Sequence, residues 1–128
     1  MTAWTSEELS KIEAAEELEI ASRRRDGRLG SPRTIWVVRV GDDSYVRSGN
    51  GRTSDWYRGT RVRREGRIQV GGVDKDVTFA DAVEGVNDQI DAAYRSKYHR
   101  YAAHILETIT SDQARAATIR LVPRSTTA

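Results

Sequence analysis

One loop of this sequence combines the residue types that bind anions. It follows the predicted strand 44–48, and its glycines allow backbone N–H groups to come close to a ligand. Arginines on both sides of the glycines supply permanently charged donors that suit phosphate or carboxylate. An aromatic pair follows, which could stack on a ring. We therefore take this stretch as the candidate site, formed by Arg47, Ser48, Gly49, Asn50, Gly51, Arg52, Trp56, Tyr57 and Arg58.

Positive charge is concentrated around this loop. Residues 47–67 contain seven arginines against Asp55 and Glu65, a local charge of +5, whereas the whole chain carries only +2. The complete sequence is nearly balanced, with 21 basic and 19 acidic residues. This balance favours a nucleic-acid partner only weakly, so we expect a small anionic ligand instead.

Length and composition limit the class of protein. A chain of 128 residues supports one ordinary core, so we treat residues 1–128 as a single domain. No apolar run approaches the roughly 20 residues of a membrane span, and the N-terminus lacks the pattern of a secretory signal. We therefore expect a cytoplasmic protein without membrane contact. Because the sequence has no cysteine, it contains no disulfide and no thiolate nucleophile.

The first half of the chain predicts a helix followed by three strands. A helix capped by Thr5 or Ser6 is expected within residues 1–15, and alternating polar and apolar residues predict a strand at 17–23. The run 34–40 is apolar on both faces, which predicts a central strand in which Trp36 and Val38 are largely buried. A Gly-Asp-Asp turn should join this strand to the strand 44–48 as a hairpin.

The second half predicts a further hairpin, helices and a closing strand. A Gly-Gly pair, the strongest hairpin signal in the sequence, separates two alternating strands. Successive hairpins favour a mainly β (α+β) architecture, a six-stranded antiparallel barrel with peripheral helices. The predicted elements are a short helix at 55–60, strands at 66–70 and 73–79, a long or broken helix that ends near 109, a strand at 117–123 and a polar tail at 124–128.

The order of these motifs resembles a known group of proteins. The resemblance rests on the segment 34–48, the turn Asp55-Trp56-Tyr57-Arg58 and the segment 66–72, with weaker support from 93–98 and 119–124. Together they cover about residues 17–124. The chain resembles a small uncharacterised actinobacterial family related to the flavin- and deazaflavin-binding split β-barrels.

This resemblance implies a six-stranded split barrel that forms a homodimer and binds flavin mononucleotide (FMN) or the deazaflavin coenzyme. In such proteins the loop after the third strand holds the cofactor phosphate, and the ring lies near the subunit interface. Carried over, Arg47, Ser48, Gly49, Asn50 and Gly51 would form the phosphate loop, while Trp56 and Tyr57 would lie in the turn below it. The implied activity is reduction of a small organic substrate by hydride transfer, with chemistry supplied by the cofactor.

Other interpretations of the same residues remain open. The loop could be a solvated connection, and Trp56 and Tyr57 could serve packing or an interface. The protein could be a non-redox dimer that binds another anionic small molecule, or a nucleic-acid binder that uses a stripe of arginines between Arg58 and Arg67. His99 and His104 are five residues apart, which does not fit a helical metal pair, so we expect no metal.

Overall fold

A computed structural model of the chain describes residues 3–83 and 85–124. The helices are α1 (Ser6–Ala14), α2 (Asp55–Arg63), α3 (Asn87–Lys97), α4 (Ala103–Ile109) and α5 (Asp112–Ala116), with a 3-10 turn at Gly51–Thr53. The strands are β1 (Glu17–Ser22), β2 (Arg33–Trp36), β3 (Val38–Val40), β4 (Asp43–Arg47), β5 (Glu65–Val70), β6 (Val73–Asp81) and β7 (Thr118–Pro123). Of the predicted tail 124–128, residues 125–128 lie outside this description.

The seven strands form one antiparallel sheet in the order β2-β1-β5-β6-β7-β4-β3. Its two end strands, β2 and β3, are consecutive in the chain and are separated only by Val37. The sheet therefore curls into a nearly closed barrel, and the chain itself joins the two ends. The predicted split-barrel class is confirmed, and the strand count is seven because the segment 34–40 is divided in two.

The expectation that residues 34–40 form one central strand is wrong. At Val37 the ladder is interrupted, because the backbone N–H of this residue donates to the Tyr98 hydroxyl at 3.2 Å. The Val37 carbonyl accepts from the Lys97 ammonium at 2.7 Å, and the Tyr98 hydroxyl itself donates to the carbonyl of Glu16 at 2.6 Å. Side chains at the end of α3 thus satisfy buried backbone groups that a neighbouring strand would otherwise pair.

The interruption at Val37 separates two apolar cores and explains the position of Trp36. Val38 is buried as predicted, at 1% exposure, whereas Trp36 is only half-buried. The indole lies outside the barrel, stacked on the Tyr98 ring with centroids 3.9 Å apart and planes 4° apart. This outer core packs α3 and α4 against β3 and β4. Because this outer core covers the outer face of β3, a strand with two apolar faces can lie at the end of the sheet.

The inner core fills the barrel and is closed by the N-terminal segment. Trp4, Leu9 and Ile12 pack among the inward residues of the strands, and the Trp4 indole N–H donates to the carbonyl of Leu121 at 3.0 Å. The predicted cap at Thr5 is present as a capping box, since its hydroxyl accepts from the N–H of Glu8 while the Glu8 carboxylate accepts from the N–H of Thr5. The helix predicted near the N-terminus is therefore present as α1, and it packs against the inner core.

Both predicted hairpins are confirmed. Val40 pairs with Asp43, and Val70 pairs with Val73 across the Gly71-Gly72 turn, in which both glycines have positive φ. The predicted broken helix consists of α3 and α4, which are separated by residues 98–102. The sequence analysis missed α5, although Ser111 caps it by accepting from the N–H of Ala114.

The hydrogen bonds that Lys97 and Tyr98 form with Val37 predict that the stability of the fold depends on pH. Burial lowers the pKa of Lys97 from 10.5 to about 8 and raises the pKa of Tyr98 from 10.0 to about 12. Between pH 8 and 10.5 the unfolded chain binds the Lys97 proton and the folded chain does not, so Lys97 makes stability rise with pH. Above pH 10 the folded chain retains the Tyr98 proton that the unfolded chain has lost, so stability falls. Urea unfolding from pH 7 to 11 should show a rise followed by a fall.

The substitution Lys97→Met should remove the rise between pH 8 and 10 and leave the fall. Lys11→Met, at a lysine exposed on α1, is the matched control and should keep both limbs. A rise of unchanged slope in Lys97→Met would show that another group carries the pH dependence.

Candidate functional site

The glycine-rich loop leaves the barrel at the end of β4 as a tight turn. The N–H of Ser48 donates to the carbonyl of Ala117 at 3.2 Å, and the N–H of Gly51 donates to the carbonyl of Ser48 at 3.0 Å. Gly51 has φ +75°, and a Cβ there would lie 3.0 Å from the side chain of Gln113. The positive φ at position 51 therefore favours glycine, and a larger residue would require the Gln113 side chain to shift.

Arg47 does not lie in the exposed loop, which corrects the sequence-based expectation. Its guanidinium is fully buried and pairs with Asp91. Its Nε–H donates to the Thr118 hydroxyl, a second Nη1 hydrogen bond goes to the Ile109 carbonyl, and Nη2 donates to both oxygens of Asn87. All five N–H groups of an arginine are thus used within the protein. Arg47 connects β4 to α3, α4 and β7 and has no donor left for a phosphate in this structure.

A cleft of about 560 Å³ opens beside the loop, and we call it the loop cleft. Four of the nine predicted residues line it: Ser48, Gly49, Asn50 and Trp56. It is completed by residues from the start of β2, the 3-10 turn, the N-terminus of α2 and the end of α4, namely Arg33, Thr53, Ser54, Asp55 and Thr108.

The other predicted residues lie around the loop cleft without lining it. Gly51 shapes the turn, and Tyr57 is buried in the inner core. Arg52 is exposed and donates from Nε to the carbonyl of Ala116 at 3.1 Å. Arg58 is exposed on α2, where its Nη1 lies 3.9 Å from a carboxylate oxygen of Asp55.

Among the described residues, backbone N–H groups at the loop cleft lack acceptors, although the exposed carboxylate of Asp55 lies in the first turn of α2 and lines the same cleft. Ser54 occupies the N-cap of α2, but its side chain does not cap the helix and instead shares a 2.7 Å hydrogen bond with the Ser48 hydroxyl. The first N–H groups of α2 therefore remain without a side-chain acceptor at the positive end of the helix dipole. Within the described part of the chain, the N–H groups of Gly49 and Asn50 also have no acceptor. Such an arrangement suits an anion.

A second cleft of about 430 Å³ adjoins the first, and we call it the arginine cleft. The two clefts share Arg33, Asp55 and Trp56, so the Trp56 side chain stands at their junction. The sequence analysis missed this cleft. The sequence feature that could have indicated this cleft is the run of three arginines, residues 23–25, that follows β1. The lining consists of Ile20, Ser22, Arg23, Arg24, Arg25, Gly30, Ser31, Arg33, Asp55, Trp56, Gly59 and Val62.

The arginines of this cleft differ from those of the predicted stripe. Among the described residues, Arg24, Arg25 and Arg33 have no ion pair and no side-chain hydrogen bond. The five stripe arginines each have a carboxylate within 4.0 Å. These arginines are Arg58, Arg61, Arg63, Arg64 and Arg67. Arginines without a carboxylate within 4.0 Å therefore lie at the clefts and not along the stripe.

The described residues contain no group of three or more histidines and carboxylates placed to hold a metal ion. In the same part of the chain, no helix is long and apolar enough to cross a membrane.

The buried position of Arg47 predicts a large effect on stability. Removal of Arg47 takes away the hydrogen-bonded partner of the buried Asp91 carboxylate and leaves it only the longer ion pair with Arg115, at 3.7 Å, and loss of one member of a buried pair costs about 3–5 kcal/mol. We expect Arg47→Met to lower the free energy of unfolding by this amount in urea titrations. Arg52→Met, the matched variant at an exposed arginine, should change it by less than about 0.5 kcal/mol. Equal stability of the two variants would contradict the assigned role of Arg47.

Solved structures with the same fold span nearly the whole chain. The heme storage protein HutZ from Vibrio cholerae is 13% identical, with a TM-score of 0.64, and the match covers 98% of this chain and 92% of that one. An F420 reductase is 14% identical, with a TM-score of 0.59 and 92% coverage of both chains. A putative pyridoxamine 5'-phosphate oxidase from Listeria innocua is 12% identical, with a TM-score of 0.62 and coverage of 91% and 90%. These likenesses establish the fold.

Comparison at the level of sequence identifies the family. No curated protein matches the chain. The profile of the family DUF2255, described as uncharacterized proteins conserved in bacteria, matches residues 8–121. An origin restricted to actinobacteria stays a prediction. Because the match spans nearly the entire sequence, the chain belongs to the DUF2255 family.

Proposed function

We propose that this protein binds a phosphorylated flavin-type cofactor, FMN or the deazaflavin coenzyme, in the loop cleft. The observation that carries the proposal is the free N-terminus of α2, whose capping residue Ser54 is engaged by Ser48. Proteins of the same fold whose names refer to F420 or to pyridoxamine 5'-phosphate oxidation support a cofactor of this class.

The loop cleft fits a phosphate and an adjoining ring. The residues that line it offer as donors the backbone N–H groups of Gly49 and Asn50, the first turn of α2 and the guanidinium of Arg33, against the one carboxylate of Asp55. Arg33 takes the place that the sequence analysis gave to Arg47, since it lines the cleft and has no other partner among the described residues. Trp56 offers an indole face beside these donors, which suits stacking on a flat ring.

The proposed reaction is hydride transfer to a small organic substrate. A bound flavin or deazaflavin supplies the hydride chemistry, and the protein supplies binding and orientation. In this division of roles, Arg33 and the α2 terminus fix the anionic end, while Trp56 fixes the ring. No side chain of the described residues is assigned as a proton donor or acceptor.

We further propose that the protein is a homodimer, because the two open clefts of a single barrel enclose only part of a cofactor of this size. Light scattering at micromolar concentration should give twice the 14.4 kDa mass of one chain. A mass of one chain over the whole concentration range would contradict this proposal.

A comparison of FMN with riboflavin tests the phosphate site. The two ligands differ only by the phosphate, so the loop cleft should bind FMN at least tenfold more tightly, a difference of about 1.4 kcal/mol. Arg33→Gln should remove most of this difference, because charge-assisted contacts to phosphate are worth about 1.5–3 kcal/mol. Calorimetric titration of both ligands, and of the deazaflavin coenzyme, measures the effect.

Arg95→Gln is the matched control, because Arg95 lies on α3, lines neither cleft and also has no carboxylate partner among the described residues. If the wild type binds none of the cofactors at high micromolar concentration, the proposed function is wrong. Binding of inorganic phosphate alone would then favour the non-redox alternative. Tight binding of FMN that is unchanged in Arg33→Gln would contradict only the placement of the phosphate.

A further inference from the structure

We propose that the arginine cleft is a separate binding site for an organic anion with a flat, apolar body, such as an aromatic carboxylate. This site does not depend on a cofactor in the loop cleft. With a cofactor in the loop cleft, the arginine cleft would hold the substrate beside it, because the two clefts meet at Trp56, and this role alone rests on the proposed function.

The charge of the arginine cleft is the first argument. Three of its arginines, Arg24, Arg25 and Arg33, have no carboxylate within 4.0 Å among the described residues, although Arg24 interacts electrostatically with Asp26. Opposing them is the exposed carboxylate of Asp55, which lies 3.9 Å from Arg58. Elsewhere in this protein, most arginines lie within 4.0 Å of an acidic side chain. The cleft therefore concentrates donors that are free to bind an anion.

The apolar part of the lining is the second argument. Ile20 forms a buried floor, Trp56 a half-buried wall, and Val62 an apolar rim with 47% exposure. An inorganic anion would use only the arginines, and a neutral aromatic molecule would use only this apolar surface. A ligand that uses both has an anionic group attached to a ring or another flat apolar body.

Gly59 provides the third argument. It lies inside α2, where glycine weakens a helix relative to alanine. Its backbone has ordinary helical geometry, and a Cβ would meet only the Ser22 side chain, at 3.7 Å, which is normal van der Waals contact. Neither conformation nor packing thus requires glycine here. What the missing side chain provides is open volume in the cleft that Gly59 lines.

Three probes distinguish the ligand classes in calorimetric titrations without any cofactor. Naphthalene-2,6-dicarboxylate has both a flat body and carboxylates, 2-naphthylmethanol has only the body, and inorganic phosphate has only the charge. We expect saturable binding of the dicarboxylate, with both other probes at least tenfold weaker. Equal affinity for phosphate or for the neutral alcohol would overturn the proposed ligand class.

Charge variants locate the dicarboxylate. Arg24→Gln and Arg25→Gln should each weaken it several-fold, and the double variant at least tenfold. Arg95→Gln, which removes the same charge on α3, should bind as the wild type does. Asp55→Asn should strengthen binding, because it removes the negative charge of the lining. Unchanged affinity in the double variant would overturn the assignment to this cleft.

Gly59 variants test the cleft independently of charge. Gly59→Leu should fill part of the cleft and abolish binding of the dicarboxylate, while the helix gains stability. Gly59→Ala should raise the melting temperature by about 4 °C, the shift that corresponds to a glycine-to-alanine change inside a helix. A Gly59→Leu protein that melts no lower than the wild type and still binds the dicarboxylate would overturn the proposal.

Discussion

The buried pair of Arg47 and Asp91 is the interaction on which the arrangement of the candidate site depends. A buried charge is tolerated only when it is paired and hydrogen-bonded. The segments that supply the partners of this guanidinium must therefore keep their positions around it. Arg47 is the last residue of β4, immediately before the loop begins. Its bond to the Ile109 carbonyl matters most for α4, a helix without any fully buried residue of its own. Thr108, which lines the loop cleft, is thereby positioned by this polar contact together with the partly buried Leu106 and Ile109, which pack against the outer core.

The same pair explains why the position of Arg47 could not be predicted from the sequence, although the loop that follows it could. Glycines and hydroxyl residues after a strand predicted this loop, and ligand binding there stays a prediction. The sequence does not indicate that the Arg47 side chain turns into the protein interior. Its partners Asp91, Asn87 and Thr118 lie 40 to 71 positions away along the chain. The local charge of +5 was equally misleading, since Asp74, Asp76 and Asp81 return from β6 to neutralise Arg61, Arg64 and Arg67. Only a spatial count of ion pairs separates the free arginines from the paired ones.

The fold was more predictable than the site, because hairpins are local. Strand alternation and the Gly71-Gly72 turn defined β5 and β6 almost to the residue. Prediction failed at Val37, where the apolar run 34–40 divides. The cause is again non-local, since Tyr98 bonds to a residue 61 positions away and replaces the pairing that a continuous strand would have had. An apolar run does not always indicate a strand at the centre of a sheet. It can also indicate a segment that packs first against the barrel interior and then against an outer layer of helices.

Helix α2 connects the fold to both clefts because its two faces have different roles. Tyr57 and Thr60, three residues apart, are buried and fix the helix to the barrel. Trp56, Gly59 and Val62 follow the same spacing one residue out of phase and line the arginine cleft. A face that points away from the core usually carries polar residues with high helix propensity. Here it carries a large aromatic residue, a glycine and a β-branched residue, none of which is favoured on a solvated helix. Trp56 also packs against the inner core, which accounts for the aromatic residue. Gly59 and Val62 are not members of that core, and the ligand proposed for the arginine cleft would account for both.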